Sequence, residues 1–489
     1  MNELRDRALK LLRAQREDNL SRLREFVSIA SVSTEPERDA EVRRAAAWLA
    51  ELLGGLGALQ VQILEPAGSQ SVAAKTPGSE AEKPERAGHP VVYAQTARPS
   101  PSSPRVLVYG HYDVQPVDPL ELWEADPFIP VLRGEHLVAR GASDMKGQIM
   151  AVLAAVEALL RAGGTGVQLK FMFEGEEEVG SPHLLELIRR HKDLLEADVC
   201  LNPDAGMLGP DLPTITYGLR GLAYFELRLR GPERDLHSGA FGGVVHNPAQ
   251  ALCELLAGMH DRHGRVTLPG FYDSVLPLAA EERREMARLP TDESFYLENA
   301  GVPALWGEEG FSPAERVGAR PTLEVNGLLS GFTGKGSKTV LPAAAMAKLS
   351  MRLVPEQNPE VVESQLRAYL DARVPPAIRW ELDRLAGGPA SLSDRGSPAV
   401  RSLSRAMETV WGKAPLFRRE GGSVPVTAHL LELLGMQSVL TGFALPGDNA
   451  HSPNERLHLP TWERGCETIL HFLCNLSQDL PDGQAPSGS

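Results

Sequence analysis

The stretch Val106-Leu107-Val108-Tyr109-Gly110-His111-Tyr112-Asp113 decides the fold, because two polar side chains directly follow a buried strand in it. Its first four residues are apolar, and three of them are β-branched or aromatic, which is typical of a strand inside a sheet. In an α/β sheet, ligands bind at the carboxyl ends of the strands. His111 could therefore bind a metal ion, while Asp113 accepts a hydrogen bond from the other ring nitrogen and fixes the tautomer. For this stretch alone, the simpler alternative is a polar loop that contains a histidine.

Length and composition indicate a globular protein with more than one domain. The chain has 489 residues, of which 42% are hydrophobic, and it is too long for a single core. The net charge of −14 argues against nucleic acid or an anionic membrane as the main partner. The charged N-terminus lacks the apolar core of a signal peptide, and no apolar run is long enough to span a bilayer. The four scattered cysteines indicate neither a thiolate zinc site nor a disulfide framework, which fits a cytoplasmic location.

The order of predicted elements indicates an α/β fold with a mostly parallel sheet between helical layers. After Tyr217 the pattern changes to alternating strands and two β-helix-β units. This change predicts an inserted α+β domain of ferredoxin-like type with a four-stranded antiparallel sheet. The predicted boundaries are 1–218 and 387–480 for the two parts of the first domain, 219–386 for the inserted domain and 481–489 for an unstructured tail.

Residues 66–104 are rich in Pro, Ser, Gly and charge. They are predicted to form a long surface hairpin or loop, with a strand near Val91–Ala94. The sequence indicates no role for this segment.

Five side chains of the types that bind metal ions follow predicted strands. A carboxylate in such a place is usually a turn residue or a helix cap. However, the carboxyl ends of parallel strands share one edge of the sheet, so these side chains can converge. Two imidazoles and three carboxylates suit two divalent ions, predicted to be zinc, with manganese or cobalt as alternatives. Such a pair of ions activates water near neutral pH and polarises a carbonyl. The five residues are His111, Asp144, Glu178, Asp204 and His451.

The run Glu176-Glu177-Glu178 carries adjacent carboxylates that repel one another unless a cation is present. A solvated acidic loop is the simpler interpretation. It is weakened because an apolar strand precedes the run and the tight turn Gly180-Ser181-Pro182 follows it. If Glu178 binds a metal ion, Glu177 can act as the general base on water and return the proton to the leaving amine. Because Glu176 is a third acid, this assignment could slip by one residue.

Taken together, these motifs resemble the di-zinc metallopeptidase family that includes aminoacylases, carboxypeptidase G and succinyl-diaminopimelate desuccinylases. Within that family the chain looks most like the carnosinase-like dipeptidases. The resemblance implies a zinc-exopeptidase-type catalytic domain and an inserted lid domain through which two copies form a homodimer. It further implies Asp144 as the bridging ligand, His111 and Asp204 on one zinc, Glu178 and His451 on the other, Glu177 as the base and Asp113 as the orienting carboxylate.

In the lid, the resemblance implies that His237 reaches the active site of the other subunit and stabilises the oxyanion. Without it, His237 would be interpreted as a turn residue. Arg352 would pair with a substrate carboxylate, although it could also be a surface arginine on an edge strand. Gly422 and Ser423 precede a predicted helix, where backbone amides suit an anionic group.

The leading hypothesis is a metal-dependent dipeptidase that acts on small peptides. An N-acyl amino acid deacylase with the same metal site is the alternative, because the sequence does not decide whether the substrate carries a free ammonium or an acyl group. A catalytically silent binding protein on the same fold ranks lower, since all five ligand candidates and Glu177 are present.

Overall fold

The computed structural model describes residues 2–57, 60–66 and 88–480. They form two compact units, of which the first comprises the described residues within Met1–Tyr217, Ser393–Phe417 and His429–Ser489. The second comprises Gly218–Leu392 and Arg418–Ala428. The predicted boundaries assigned all of 387–480 to the first unit, but residues 387–392 and 418–428 lie in the second. Arg418–Ala428 belongs to the second because it is bonded to that unit's backbone: the Arg220 N–H donates to the Gly422 carbonyl at 3.1 Å.

The first part of the chain alternates helices and strands as predicted, with three short 3₁₀ turns at Pro36–Arg38, Leu120–Leu122 and Glu177–Val179. The helices are α1 (Asn2–Ala14), α2 (Arg16–Val27), α3 (Asp39–Gly55), α4 (Lys146–Ala162), α5 (Leu184–Arg190) and α6 (Lys192–Leu195). The strands are β1 (Gln60–Leu64), β2 (Val91–Gln95), β3 (Arg105–His111), β4 (Val131–Arg133), β5 (His136–Val138), β6 (Gln168–Glu174), β7 (Val199–Asn202) and β8 (Thr214–Leu219).

The middle of the chain contains the inserted unit. Its strands are β9 (Gly221–Arg230), β10 (Leu236–His237), β11 (Thr322–Ser330), β12 (Val340–Leu341), β13 (Ala344–Leu353), β14 (Arg379–Gly388) and β15 (Ser391–Leu392). Its helices are α7 (Ser238–Phe241), α8 (Pro248–Ala257), α9 (Ala280–Met286), α10 (Glu293–Ala300), α11 (Pro313–Ala319) and α12 (Pro359–Arg373). The last part of the chain contains α13 (Pro398–Trp411), β16 (Leu416–Glu420), α14 (Pro425–Leu434), β17 (Ser438–Leu440), β18 (Arg456–His458) and α15 (Leu459–Asp479).

The central sheet of the first unit has the strand order β1-β2-β6-β3-β7-β17-β8. Its inner strands β6, β3, β7 and β17 run parallel, whereas β1, β2 and β8 pair antiparallel with their neighbours. The predicted mostly parallel sheet is therefore confirmed. Because the inner strands share one direction, their carboxyl ends lie along one edge, where His111 ends β3 and Glu174 ends β6.

Helix α4 forms the centre of the core beside this sheet. Every residue of α4 except Leu160 and Arg161 is buried, as its nearly continuous apolar surface predicts. It packs against α1, α2, α15 and strand β3. A helix that is enclosed on all sides has a fixed position. The loop that contains Asp144 leads into this helix and is therefore held in place at that end. Within the described ranges, neither α4 nor any other helix combines the length and apolarity needed to cross a membrane.

The second unit contains a four-stranded antiparallel sheet with the order β11-β13-β9-β14. In chain order its core elements read β9-α8-β11-β13-α12-β14, which is the ferredoxin-like arrangement. The alternating side chains of β9 bury Phe225, Leu227 and Leu229 against the helices, in contact with Leu252 of α8 and Leu366 of α12. The α+β prediction is confirmed.

The predicted segment 66–104 includes strand β2, as expected. Its part from 67 to 87 lies outside the described residues, and so does the predicted tail after Leu480.

Candidate active site

His111 is the buried end of β3, and its two ring nitrogens face different groups. Nε2 lies 3.2 Å from an oxygen of Asp144 and 3.9 Å from an oxygen of Asp204. Nδ1 is 3.1 Å from the backbone carbonyl of Asp113 and 3.5 Å from the carboxylate of the same residue. The nearer acceptor is thus the carbonyl rather than the carboxylate that was expected. A carbonyl can only accept, so it orients the ring with Nδ1–H towards it and Nε2 towards the acidic groups.

The carboxylate of Asp113 is fully buried, and its hydrogen bonds are with the main chain of the acidic run. It accepts hydrogen bonds from the backbone N–H groups of Glu177, at 3.3 Å, and Glu178, at 3.1 Å. Both donors belong to the 3₁₀ turn that begins three residues after the end of β6. Asp113 therefore connects the loop after β3 with the acidic run, and it holds that run in place through its main chain.

The three adjacent glutamates separate in space. Glu176 is buried away from the cluster, where its carboxylate accepts the His89 N–H at 3.0 Å and lies 2.9 Å from Nδ1 of His183. Glu178 lies 3.4 Å from Nε2 of His451 through its Oε2. The geometry therefore places Glu178, and not Glu176, among the candidate ligands.

Two loops bring the remaining candidate ligands to the same edge of the sheet. Asp204 stands two residues after β7, where the buried Asn202 accepts the Asp204 N–H at 2.9 Å and forms a tight turn. His451 follows β17, and its Nε2 lies 2.9 Å from Asp144 Oδ2. His451 is exposed, whereas His111 is buried, so the cluster is open to solvent on one side.

The five predicted ligand residues meet in two groups that share one member. Asp144 belongs to both groups, and the ligand atoms in each group lie within 4.8 Å of one another. All the donors are imidazole nitrogens and carboxylate oxygens, the set that suits zinc, manganese or cobalt. The groups are His111, Asp144 and Asp204, and Asp144, Glu178 and His451.

The electrostatics of the cluster show how strongly it favours a cation. Burial raises the pKa of Glu178 to about 8, with Asp144 adding to the effect, and burial also raises the pKa of Glu177 well above its ordinary value. The hydrogen bond to Asp144 raises the pKa of His451 to about 9. Burial opposes the charge of Asp144, but the imidazoles of His111 and His451 outweigh it and lower the Asp144 pKa. The carboxylates therefore need neighbouring positive charge, which divalent ions would supply.

Sequence reasoning missed Glu455, which holds the loop of Asp144. Its Oε1 accepts the backbone N–H groups of Ser143, at 2.9 Å, and Asp144, at 3.0 Å. Its Oε2 accepts the Gly141 N–H at 3.0 Å and Nη1 of Arg140 at 2.8 Å. Glu455 is fully buried and lies four residues after His451, so one carboxylate ties the Asp144 loop to the His451 loop. Local sequence carries no signal for this, because a glutamate between polar residues is usually exposed.

Asp448 makes a second connection between the same loops. Its Oδ2 accepts the hydroxyl of Ser143 at 3.0 Å and the N–H of Leu445 at 2.8 Å. Burial raises the pKa of Asp448 to about 6. Two buried carboxylates therefore hold the backbone and side chain next to Asp144.

The predicted residues of the inserted unit are described within that unit. His237 ends β10, is exposed and accepts the Gly239 N–H at 3.0 Å through Nδ1. Arg352 donates from Nη1 to the hydroxyl of Ser423 at 3.0 Å. Gly422 takes part through its carbonyl, which accepts the N–H of Arg220. The structure thus brings Arg352 and Ser423 together next to Gly422.

The chain is similar to known metallopeptidases. The chain is 31% identical over 467 residues to the Cys-Gly metallodipeptidase DUG1 of Saccharomyces cerevisiae, covering 93% of this chain and 94% of the relative. It is 30% identical over 395 residues to the human Beta-Ala-His dipeptidase, covering 80% and 78%. The crystal structure of the M20 family metallo-carboxypeptidase Sso-CP2 from Sulfolobus solfataricus is similar with a TM-score of 0.82 and 31% identity, covering 94% of this chain and 99% of that one.

A family profile described as peptidase family M20/M25/M40 matches residues 107–475, a span that begins in β3 and ends in α15. The match includes all five candidate metal ligands, the acids Asp113 and Glu177, and the whole inserted unit. The chain belongs to peptidase family M20/M25/M40 and is a metal-dependent hydrolase.

Proposed function

We propose that this chain hydrolyses the amide bond of dipeptides at a di-metal centre. The observation that carries the proposal is the pair of ligand groups that share Asp144, with the carboxylate of Glu177 in the adjoining turn. The names of the relatives support dipeptides as the substrate class, because two of them are dipeptidases.

The donor set fits two divalent ions, and we propose zinc, with manganese or cobalt as alternatives. Such ions supply a nucleophilic water near neutral pH and polarise the scissile carbonyl when they are bound. In this proposal His111, Asp144 and Asp204 would hold one ion, and Asp144, Glu178 and His451 would hold the other, with Asp144 shared by the two groups.

Glu177 is the proposed general base. Its carboxylate takes a proton from the attacking water and returns it to the leaving amine. Burial and the neighbouring acids Asp204 and Glu178 raise the pKa of Glu177 in the metal-free protein. Asp113 contributes through the two backbone N–H groups that it accepts, because they set the direction of the turn that carries Glu177.

Arg352, Ser423 and Gly422 are proposed to bind the carboxylate of the substrate. The guanidinium of Arg352 is half-buried and donates to a hydroxyl, so it forms no ion pair within the described part of the chain. A guanidinium in that state is ready for a bidentate pair with a carboxylate. His237 is proposed to stabilise the oxyanion, since its imidazole is exposed and, among the described residues, only its Nδ1 has a hydrogen-bond partner.

A homodimer formed through the inserted unit is proposed from the edge of its sheet. Strand β11 is one of the two edge strands of this sheet, and three large apolar side chains on it are exposed: Val325 by 47%, Leu328 by 57% and Leu329 by 56%. An apolar edge strand of this kind is usually covered by a partner.

A cytoplasmic location is proposed because all four cysteines are free thiols, three of them buried.

The test compares substrates that differ in one group. Ala-Ala, Gly-Gly and β-Ala-His are assayed against their N-acetylated forms with zinc, manganese and cobalt, alongside the Glu177→Gln variant. We expect the free dipeptides to be hydrolysed faster, and Glu177→Gln to retain metal while losing about 100-fold or more of the turnover. Faster hydrolysis of the acetylated forms would identify an N-acyl amino acid deacylase instead. Turnover of neither set by the metal-loaded protein would favour a silent binding protein.

A further inference from the structure

A half-buried glutamine in the loop after β3 contacts one of the candidate metal ligands. Nε2 of Gln115 donates to Oε2 of Glu178 at 2.7 Å. The same oxygen of Glu178 lies 3.4 Å from Nε2 of His451, which belongs to the same ligand group. The NH₂ group of a glutamine can only donate, so this contact favours one direction of the Glu178 carboxylate.

The loop brings alternate residues to the metal cluster. His111, Asp113 and Gln115 each make a contact there. Tyr112 and Val114, which lie between them, are buried in the hydrophobic core. An extended segment produces this alternation, because side chains two residues apart point to the same side. The spacing that brings His111 and Asp113 to the cluster therefore brings Gln115 to it as well.

Main-chain hydrogen bonds hold this loop in place. The N–H of Tyr112 donates to the carbonyl of Glu174 at 2.8 Å, and the N–H of Val114 donates to the carbonyl of Ser31 at 3.0 Å. The hydroxyl of Ser31 donates to the carbonyl of Tyr112 at 2.6 Å. The backbone from which Gln115 extends is therefore fixed on the side that precedes it.

The two ligand groups differ in how firmly their members are held. The side chain of His451 is 54% exposed, whereas that of Glu178 is 3% exposed. In the other group, the ring of His111 is 1% exposed and is oriented by the carbonyl of Asp113 at 3.1 Å. An exposed side chain retains more rotamer freedom than a buried one. The group that contains His451 therefore depends more strongly on the orientation of Glu178.

We propose that Gln115 is a positioning residue for the metal ion that Glu178 and His451 would hold. Its NH₂ group keeps the carboxylate of Glu178 turned towards His451. The ion that His111 and Asp204 would hold does not depend on this contact. The inference rests on the proposed di-metal centre, and it assigns Gln115 to one of the two ligand groups.

The hydrogen bond and a metal ion can share the Glu178 carboxylate. An ionised carboxylate has about four acceptor positions, and Gln115 uses one of them. Carboxylates that bind metal ions are themselves hydrogen-bonded, and loss of the bonding partner lowers metal affinity by about 10–100-fold. Without Gln115 the carboxylate can turn away from His451, so we expect a loss of affinity in this range.

The first experiment removes the donor and follows each ion separately. The substitution Gln115→Met keeps the length of the side chain and removes its N–H groups. The zinc-loaded full chain is titrated with a chromophoric chelator, which gives a Kd for each bound ion. The Kd of one ion should rise by about 10–100-fold, and the Kd of the other should remain unchanged. Unchanged values for both ions in the folded variant would overturn the proposal.

The second experiment identifies the ion that is affected. His451→Ala removes a ligand of one group, and His111→Ala removes a ligand of the other. When Gln115→Met is added to His451→Ala, the Kd of the remaining ion should not change, because both substitutions act on the same ion. When Gln115→Met is added to His111→Ala, the Kd of the remaining ion should rise by about 10–100-fold. The opposite pattern would overturn the assignment of Gln115 to the group of Glu178.

Gln168→Met is the matched control. Gln168 is a half-buried glutamine at the amino end of β6, and its Nε2 donates to the carbonyl of Thr96 at 3.4 Å. This variant should keep both Kd values of the wild type. A change of one Kd in Gln168→Met as large as that in Gln115→Met would overturn a specific role of Gln115.

A second variant ensures that the result does not depend on the folding of Gln115→Met. Gln115→Asn keeps the NH₂ group on a side chain that is one methylene shorter, so the donor moves away from Oε2 of Glu178. It should raise the Kd of the same ion. Circular dichroism establishes that each variant is folded, and folded Gln115→Asn with both wild-type Kd values would overturn the proposal.

The zinc content of the wild type separates this inference from the proposed function. If the wild type binds two ions but hydrolyses no dipeptide, the proposed function fails, while a change in one Kd in Gln115→Met still supports the positioning role. If the wild type hydrolyses dipeptides with two ions bound, and Gln115→Met holds both ions equally tightly, only the positioning role fails. A wild type that binds fewer than two ions would overturn the di-metal centre and this inference together.

Discussion

Replacement of Glu455 by glutamine should weaken metal binding although Glu455 is not a candidate ligand. The carboxylate accepts the N–H groups of Ser143 and Asp144 through one oxygen, and the N–H of Gly141 and the guanidinium of Arg140 through the other. Glutamine keeps one of these acceptors and replaces the other with an NH₂ group. That NH₂ group would face an N–H or a guanidinium, so the loop that carries Asp144 must move.

The size of the expected loss of stability follows from the burial of the Arg140–Glu455 ion pair. The side chains of Arg140 and Glu455 are each 1% exposed, so the variant leaves a buried cation without its partner. Breaking such a pair costs about 3–5 kcal/mol of unfolding free energy. For a protein of this size the melting temperature should fall by roughly 3–5 °C. Residues that orient metal ligands change metal affinity by about 10–100-fold, and we expect a loss in this range.

The assay separates positioning from stability. Zinc affinity is measured by competition with a chromophoric chelator at a temperature at which circular dichroism shows the variant to be folded. Glu315→Gln is the matched control, because Glu315 is a buried carboxylate of the inserted unit that accepts Arg283 at 2.6 and 2.9 Å and the Ser312 N–H at 2.8 Å. It should lower the melting temperature and leave zinc affinity unchanged. Folded Glu455→Gln with wild-type zinc affinity would refute the reasoning.

Three further predictions follow from the same geometry. Asp144→Ala should lose both ions, because Asp144 belongs to both ligand groups; metal analysis that finds one ion still bound would contradict a shared ligand. His237→Ala should lower kcat by about 100-fold. If His237 acts across subunits, a mixture of His237→Ala and Asp144→Ala should regain activity. A mixture that is no more active than the two separate variants would exclude action across subunits. Burial raises the pKa of Glu174 to about 8, so the metal-free native state binds an extra proton and loses stability as pH rises from about 4.5 to 8. Urea unfolding in the presence of a chelator should therefore show that the unfolding free energy of Glu174→Gln, relative to the wild type, increases by about 1 kcal/mol per pH unit between pH 5 and 7. A difference that does not change with pH would contradict the shifted pKa.

The candidate site shows which properties local sequence can predict. A run such as Val106–Tyr109 has one apolar pattern that suits a buried strand, and a polar residue after it must stand at the strand's carboxyl end. The five candidate ligands could therefore be found from five separate positions. The separation of Glu176 from Glu177 and Glu178 could not, because it depends on the backbone N–H of His89, which lies 87 residues earlier in the chain, and on His183 beyond the following turn.

The position of the inserted unit's boundary shows a second limit. Arg418–Ala428 has no composition that distinguishes it from its neighbours, yet it belongs to the second unit. Its hydrogen bonds connect Gly422 and Ser423 with Arg220, about 200 residues earlier in the chain. A boundary set by such bonds is visible only when both partners have been placed.

The sequence by itself determined the α/β class, the ferredoxin-like insertion, the ligand candidates and the acidic run, because apolar periodicity and residue type are local properties. Only the tertiary structure decided that Glu455 holds the Asp144 loop, that Asp113 accepts the main chain of the acidic turn, and that Arg220 lies beside Arg352. These contacts join residues that are far apart in the chain, and a buried carboxylate and an exposed one have the same letter. Burial and long-range pairing arise from the packed chain, so they give these charged side chains their roles only after folding.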